Sequence, residues 1–129
     1  MSTIPENLKY TRDHEWVETT GKDKARVGIT DYAQKQLGDI VFVDIPTAGK
    51  KLEQNATFGT VESVKSVSDL FLPLTGTVAT VNEELDGEPE LVNTDAYGDG
   101  WIIELTFTKP EELKELLTAA EYKAYLDEE

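Results

Sequence analysis

From residue 39 to residue 108 the chain repeats one pattern: a short run of β-branched and aromatic residues, then a break at Gly or Pro. DIVFVDI at 39–45 stops at Pro46 and the turn TAGKK; TFGTVESV, SVSDLFLP, TGTVATVNEEL and WIIELTFT follow. Runs this short give little room for a stable helix. β-branched side chains lose rotamer freedom in a helix, yet pack well on a pleated surface. Many short strands at close spacing predict a sandwich or barrel, so the fold class is mostly β.

The flanks extend this reading. Residues 8–19, LKYTRDHEWVET, read as one strand, TGKD at 20–23 as a turn, and KARVGIT at 24–30 as the returning strand of a hairpin. DYAQKQLG at 31–38 predicts a short helix. Thr30 or Asp31 can cap it, Asp31 with Gln34 resembles a capping box, and Gly38 supplies the stop. In the tail, Thr108, Pro110 and Glu111 mark a helix start, with Leu113, Leu116, Leu117 and Ala120 on one helical face. Thr118 and Glu121 predict a second start, which sets Tyr122, Tyr125 and Leu126 against the body; the final DEE is expected to fray.

At 129 residues the chain predicts one domain, 1–129, with a core over about 24–108 and a C-terminal helical segment over about 109–126. A formal charge of −14 argues against nucleic acid and against anionic membrane surfaces. It suits a monomer kept apart by self-repulsion, or a protein that docks on basic partners. Without cysteine there is no disulfide framework, thiolate metal site or thiol nucleophile. The start, MSTIPENLKYTRDHEW, lacks the basic and apolar regions of a secretory signal, and no apolar run is long enough to span a bilayer. The expected compartment is the cytoplasm.

Catalytic parts are scarce. The one histidine, His14, sits between Asp13 and Glu15 with no nucleophile elbow near it, and reads as a surface or half-buried histidine holding a backbone carbonyl. The glycines are isolated in turns, so neither a phosphate loop nor a dinucleotide fingerprint is present, and calcium-loop spacing is missing. The expectation is a non-enzymatic protein with no metal site.

Lys65 then stands out. It lies in an apolar stretch, FGTVESVKSVSDLFLPLTG at 58–76, and is the only Lys or Arg from Leu52 to Thr108, against eleven Asp and Glu. A faint repeat, strand, Gly turn and acidic loop, puts it at the midpoint of two halves. Two readings are open from pattern alone. A lysine at a strand edge guards against edge pairing. Alternatively, a lysine at a hairpin tip, alone among acids, is a flexible amine to which one prosthetic group can be joined without mislabelling a neighbour.

VESVKSVSD, with GDIVFVDIP upstream and YGDGWIIEL downstream, resembles the glycine cleavage H-protein family. The likeness runs from LKYTRDHEW through VGITDYAQKQLGDIVFVDIP to the ELLTAAEY tail. It implies a barrel-sandwich hybrid, the lipoyl and biotinyl carrier fold, with a short helix in the N-terminal half and C-terminal helices. It implies an amide-linked lipoyl group on Lys65; biotin carriers typically have Met on both sides of their lysine, whereas here the neighbours are Val64 and Ser66. The implied work is shuttling. The aminomethyl group of glycine passes from a pyridoxal-phosphate glycine decarboxylase to a tetrahydrofolate-dependent aminomethyltransferase, and the dithiol goes to dihydrolipoyl dehydrogenase. By the same resemblance Glu62 and Gly49 match positions read by lipoate-attaching enzymes, and Glu15 and Asp69 match acids lining the groove that shelters the arm. Asp13 departs from family members with a small hydroxyl residue there. Alternatives are a lipoyl or octanoyl relay to other carriers, and a non-lipoylated acidic interaction module.

Overall fold

The computed structural model describes residues 3–128. The first half runs β1 (Lys9–Tyr10), β2 (Glu15–Thr19), β3 (Lys24–Ile29), α1 (Asp31–Leu37), β4 (Ile40–Asp44), β5 (Lys51–Leu52) and β6 (Thr57–Ser63). The second runs β7 (Val67–Phe71), β8 (Gly76–Val81), α2 (Glu84–Gly87), α3 (Leu91–Thr94), β9 (Ile103–Phe107), a 3₁₀ turn at Pro110–Glu115 and α4 (Ala119–Glu128). The strands form two antiparallel sheets, a six-stranded one ordered β1-β2-β3-β9-β8-β5 and a three-stranded one ordered β4-β6-β7. This is the mostly β sandwich the sequence predicts. Among the described residues no helix is long and apolar enough to cross a membrane.

Alternation places the core. On β9, Ile103, Leu105 and Phe107 are buried while Glu104 and Thr106 are half-buried, the period-two pattern of a strand with one face inward. Val27, Val78 and Leu105 of the large sheet join Val43, Val61 and Leu70 of the small one in a single apolar cluster. A second cluster gathers Leu8, Tyr10, Trp16, Leu117 and Tyr122 beneath α4. The β5 and β8 segments, which hold corresponding places in the two halves of the faint repeat, pair antiparallel.

Helix α1 follows its caps. Thr30 Oγ1 accepts from the Ala33 N–H at 3.2 Å, Asp31 accepts from the Gln34 amide at 2.8 Å, and Gly38 ends the helix at φ +83°. The tail restarts as predicted: the Thr118 N–H donates to Glu121 at 2.9 Å and the Glu121 N–H to Thr118 at 3.2 Å, a reciprocal capping box.

Four expectations need correction. The strand read over 8–19 is a hairpin of β1 and β2, because Thr11 Oγ1 accepts from the Asp13 and Glu15 N–H groups, both at 3.2 Å, and so competes with an extended ladder. The strand read over 75–85 ends at Val81, and α2 begins at Glu84. The single helical face of Leu113, Leu116, Leu117 and Ala120 does not form. The 3₁₀ turn stops at Glu115, and Leu117 exchanges backbone hydrogen bonds with Tyr10 at 2.7 and 2.9 Å. Leu116 thereby enters the main core and Leu117 the second cluster. Helix α4 also continues through Asp127 to Glu128, where fraying was expected; Glu129 lies outside the described residues.

Candidate functional site

Lys65 occupies the turn between β6 and β7. The strands hold register down to the tip, Val61 opposite Ser68 and Glu62 opposite Val67. Ser63 then closes the turn. Its N–H donates to the Ser66 carbonyl at 2.8 Å, and its hydroxyl oxygen accepts from the N–H groups of Lys65 at 3.2 Å and Ser66 at 3.1 Å. The Val64 N–H donates to Asp39 at 3.0 Å, tying the turn to the entrance of β4. All four amides from Ser63 to Ser66 are therefore committed, while the Lys65 side chain is exposed. Its amine makes no ion pair among the described residues. Backbone order and side-chain freedom meet in one residue. Sequence reasoning missed Ser63; a serine two places before a turn residue is the signal that would have found it.

The lysine stem lies across the end of α1. A Cβ at Gly38 would sit 3.3 Å from Lys65 Cε and 3.8 Å from its Nζ, so the lack of a side chain there leaves the stem its path. The positive φ of Gly38 demands glycine independently. Asn93 on α3 fixes this junction. Its amide donates to the Gly38 carbonyl at 3.0 Å and its oxygen accepts from the Ile40 N–H at 2.8 Å.

Beside that path opens a cleft of about 300 Å³. Its floor is apolar, from Ile29, Ala33, Leu37, Val61 and Leu70, and its rim carries Asp13, His14, Tyr32 and Asp69. A larger hollow of about 420 Å³ lies between Ile4, Glu6 and Lys123; none of the hairpin's residues lines it, so the smaller cleft is the one within the lysine's reach.

His14 is held from below. It shares a 2.9 Å hydrogen bond with the Tyr122 hydroxyl, which in turn meets Thr30 Oγ1 at 2.8 Å. Its ring centroid lies 4.8 Å from that of Tyr32, and its backbone is left-handed at φ +65°. Tyr122 is fully buried and stacks on Tyr10 at 4.7 Å. Helix α4 thus braces the rim of the cleft through Tyr122. Both Asp13 and His14 border it.

The two acids expected in the groove are separated. Asp69 is exposed on the rim, whereas Glu15 is only 2% exposed. The Phe71 N–H donates to the Glu15 carboxylate at 2.7 Å and the Thr11 hydroxyl at 3.3 Å, so Glu15 ties β2 of the large sheet to the end of β7. Burial, aided by nearby Asp13, pushes its carboxyl up to about 8 against the pull of those two donors. Of the other two expected residues, Glu62 is exposed one register step from the turn. Gly49 is not near Lys65. At φ +82° it donates to the Val78 carbonyl at 2.7 Å in the turn after β4, where neighbouring Thr47 bonds Phe58 at 2.6 Å. That is the far end of β6, on the order of 20 Å from the lysine.

The family profile for the glycine cleavage H-protein matches residues 8–129. A glycine cleavage system H protein of Bacteroides thetaiotaomicron is 57% identical over 124 residues, 96% of this chain and 98% of that one. Another, of Symbiobacterium thermophilum, is 51% identical over 128 residues, 99% of each chain. The crystal structure of a glycine cleavage system H protein from Mycobacterium marinum superposes with a TM-score of 0.86 at 39% identity, covering 96% of this chain and 99% of that one. The chain is a mostly β sandwich of the carrier-protein class its solved relative represents, and it belongs to the glycine cleavage H-protein family.

Proposed function

We propose that Lys65 carries an amide-linked lipoyl group, and that the protein is the non-enzymatic shuttle of the glycine cleavage system. It takes the aminomethyl group from the glycine decarboxylase to the aminomethyltransferase and then presents the dithiol to dihydrolipoyl dehydrogenase. When bound, the lipoyl group supplies a reversible disulfide–dithiol pair, which is the redox and group-carrying chemistry that a chain without cysteine lacks. The observation that carries the reading is the exposed Lys65 side chain on a turn whose four amides are all bonded.

The chain's own residues have separable roles. Ser63 and the amide of Val64 hold the attachment turn, and Gly38 leaves the stem a path toward the cleft. The apolar floor excludes water, and Asp69 and Asp13 on the rim offer carboxylates to a cationic amine arriving on the arm. Glu15 supports the reading indirectly: it anchors the strand bearing Asp69 and is a positioning residue. Glu62 is proposed as a feature read by a lipoate-attaching enzyme. Gly49 would be read only by an enzyme whose footprint runs the length of β6.

Intact mass decides. Protein from lipoate-fed cells should gain the mass of one lipoyl group, and Lys65→Arg should lose that gain entirely. A Lys65→Arg protein that still supported glycine–bicarbonate exchange with the partner enzymes would overturn the shuttle mechanism.

A further inference from the structure

The lysine hairpin borders a face whose apolar residues stay out of the core. Among the described residues four large hydrophobic side chains are exposed: Val41 at 47%, Phe42 at 51%, Val64 at 67% and Val67 at 62%. All four surround the Lys65 turn. Register explains the grouping. Phe42 is opposite Glu62, and Glu62 is opposite Val67, so the three form one cross-strand row. Side chains in such a row share a face, here the outer face of the small sheet. Val41 joins them through a bulge between Ile40 and Phe42. Val41 and Phe42 both turn to solvent between buried Ile40 and buried Val43, where unbroken alternation would have buried one of them. An exposed apolar cluster on an edge strand marks an interaction surface.

We propose that Val41, Phe42, Glu62, Val64 and Val67 form the docking surface for the enzyme that acylates Lys65, and not for the enzymes that act on the carried sulfurs. The proposal rests on the carrier reading above. Reach supplies the first argument. The amine stands one four-carbon stem from the turn. A catalyst that brings an activated acyl carbon to it must lay its own surface on Val64 and Val67. An enzyme working at the sulfurs meets them a whole acyl chain farther out and can leave this sheet uncovered. Charge supplies the second. Asp39, Asp44 and Asp69 are exposed around the patch and Glu62 lies within its row. The matching partner surface is therefore apolar, with a cationic side chain set to meet Glu62 and a basic rim. In the step itself the Lys65 nitrogen attacks the carboxyl carbon of an acyl adenylate. The C–N bond forms, the C–O bond to the phosphate breaks, AMP leaves with the electron pair, and the amine's proton passes to solvent.

The test uses the full apo chain with an ATP-dependent lipoate ligase, lipoic acid and ATP, and follows modification by intact mass. The variants are Phe42→Ser with Val67→Ser, and separately Glu62→Lys. Each should lower kcat/KM for modification about tenfold, mainly through KM. The thermal midpoint should move little, because none of these side chains belongs to the buried core. The apolar double variant is then lipoylated to completion with excess ligase. Its reduction by dihydrolipoyl dehydrogenase and NADH should match that of the lipoylated wild type. Modification at the wild-type rate overturns the proposal, as does an equal slowing of the dehydrogenase step. Should the wild type itself take up no lipoyl group, the carrier reading fails, a result distinct from either.

Discussion

The two ends of the molecule use their large apolar side chains in opposite ways. Under α4, Tyr10, Trp16 and Tyr122 are all but fully buried, each with its polar atom bonded: Trp16 to the Ala96 carbonyl at 2.9 Å, Tyr122 to Thr30 and His14, Tyr10 to the Pro5 carbonyl. Around the Lys65 hairpin, Val41, Phe42, Val64 and Val67 stay exposed. Aromatic residues with satisfied polar tips give the first end its rigidity. The second end relies on backbone hydrogen bonds and register, which leaves its side chains available for contact. Stability and recognition are thus placed in different parts of one small fold, and substitutions should separate them.

The largest effect should come from the buried end. Tyr122→Ala removes a stacked ring and two hydrogen bonds, and should cost about 3–5 kcal/mol in urea unfolding. A loss below about 1 kcal/mol would mean that α4 is an ornament and not a brace.

Next comes Glu15, which joins the two ends. Its carboxyl is raised to about 8 in the folded state, so the folded chain holds a proton that the unfolded chain releases near the ordinary carboxylate range. The contribution is complete below about pH 4.5 and is lost as pH rises toward about 8. Glu15→Gln should flatten that decline when unfolding free energy is measured across the window. Asp31 works the opposite way at lower pH. Donors from Thr3, Gln34 and Lys35 outweigh its slight burial and lower its pKa, so its contribution is present above the ordinary aspartate value and fades in acid.

Gly38→Ala should cost about 1–2 kcal/mol, from a left-handed backbone and from crowding against the lysine stem. If stability alone changes and Lys65 is lipoylated at the normal rate, the path across Gly38 has no role in attachment. Thr118→Ala should cost about 1 kcal/mol by removing half of a capping box. Phe42→Ser belongs at the bottom of the series, within about 0.5 kcal/mol. A strongly destabilised Phe42→Ser protein would erase the contrast between the two ends.

Much of the arrangement was written locally. Thr30 and Gly38 bound α1, Thr118 with Glu121 restarts the tail, and VESVKSVSD makes a hairpin with its lysine outward, because caps and turns act within a few residues. The errors were local too where a side chain competed with the ladder, as Thr11 does in breaking the strand expected over 8–19.

By itself, then, the sequence determined the mostly β class, the caps, and the isolation of Lys65 among acids, since each depends on neighbours along the chain. Only the tertiary structure decided that Glu15 is buried on Phe71, 56 residues away, that His14 leans on Tyr122, 108 residues away, and that Gly49 lies far from the lysine. It also decided, through the bulge at Val41, that an apolar strand would show two of its side chains to water. Burial and register arise from pairings between distant segments, and a residue's type does not name its partner.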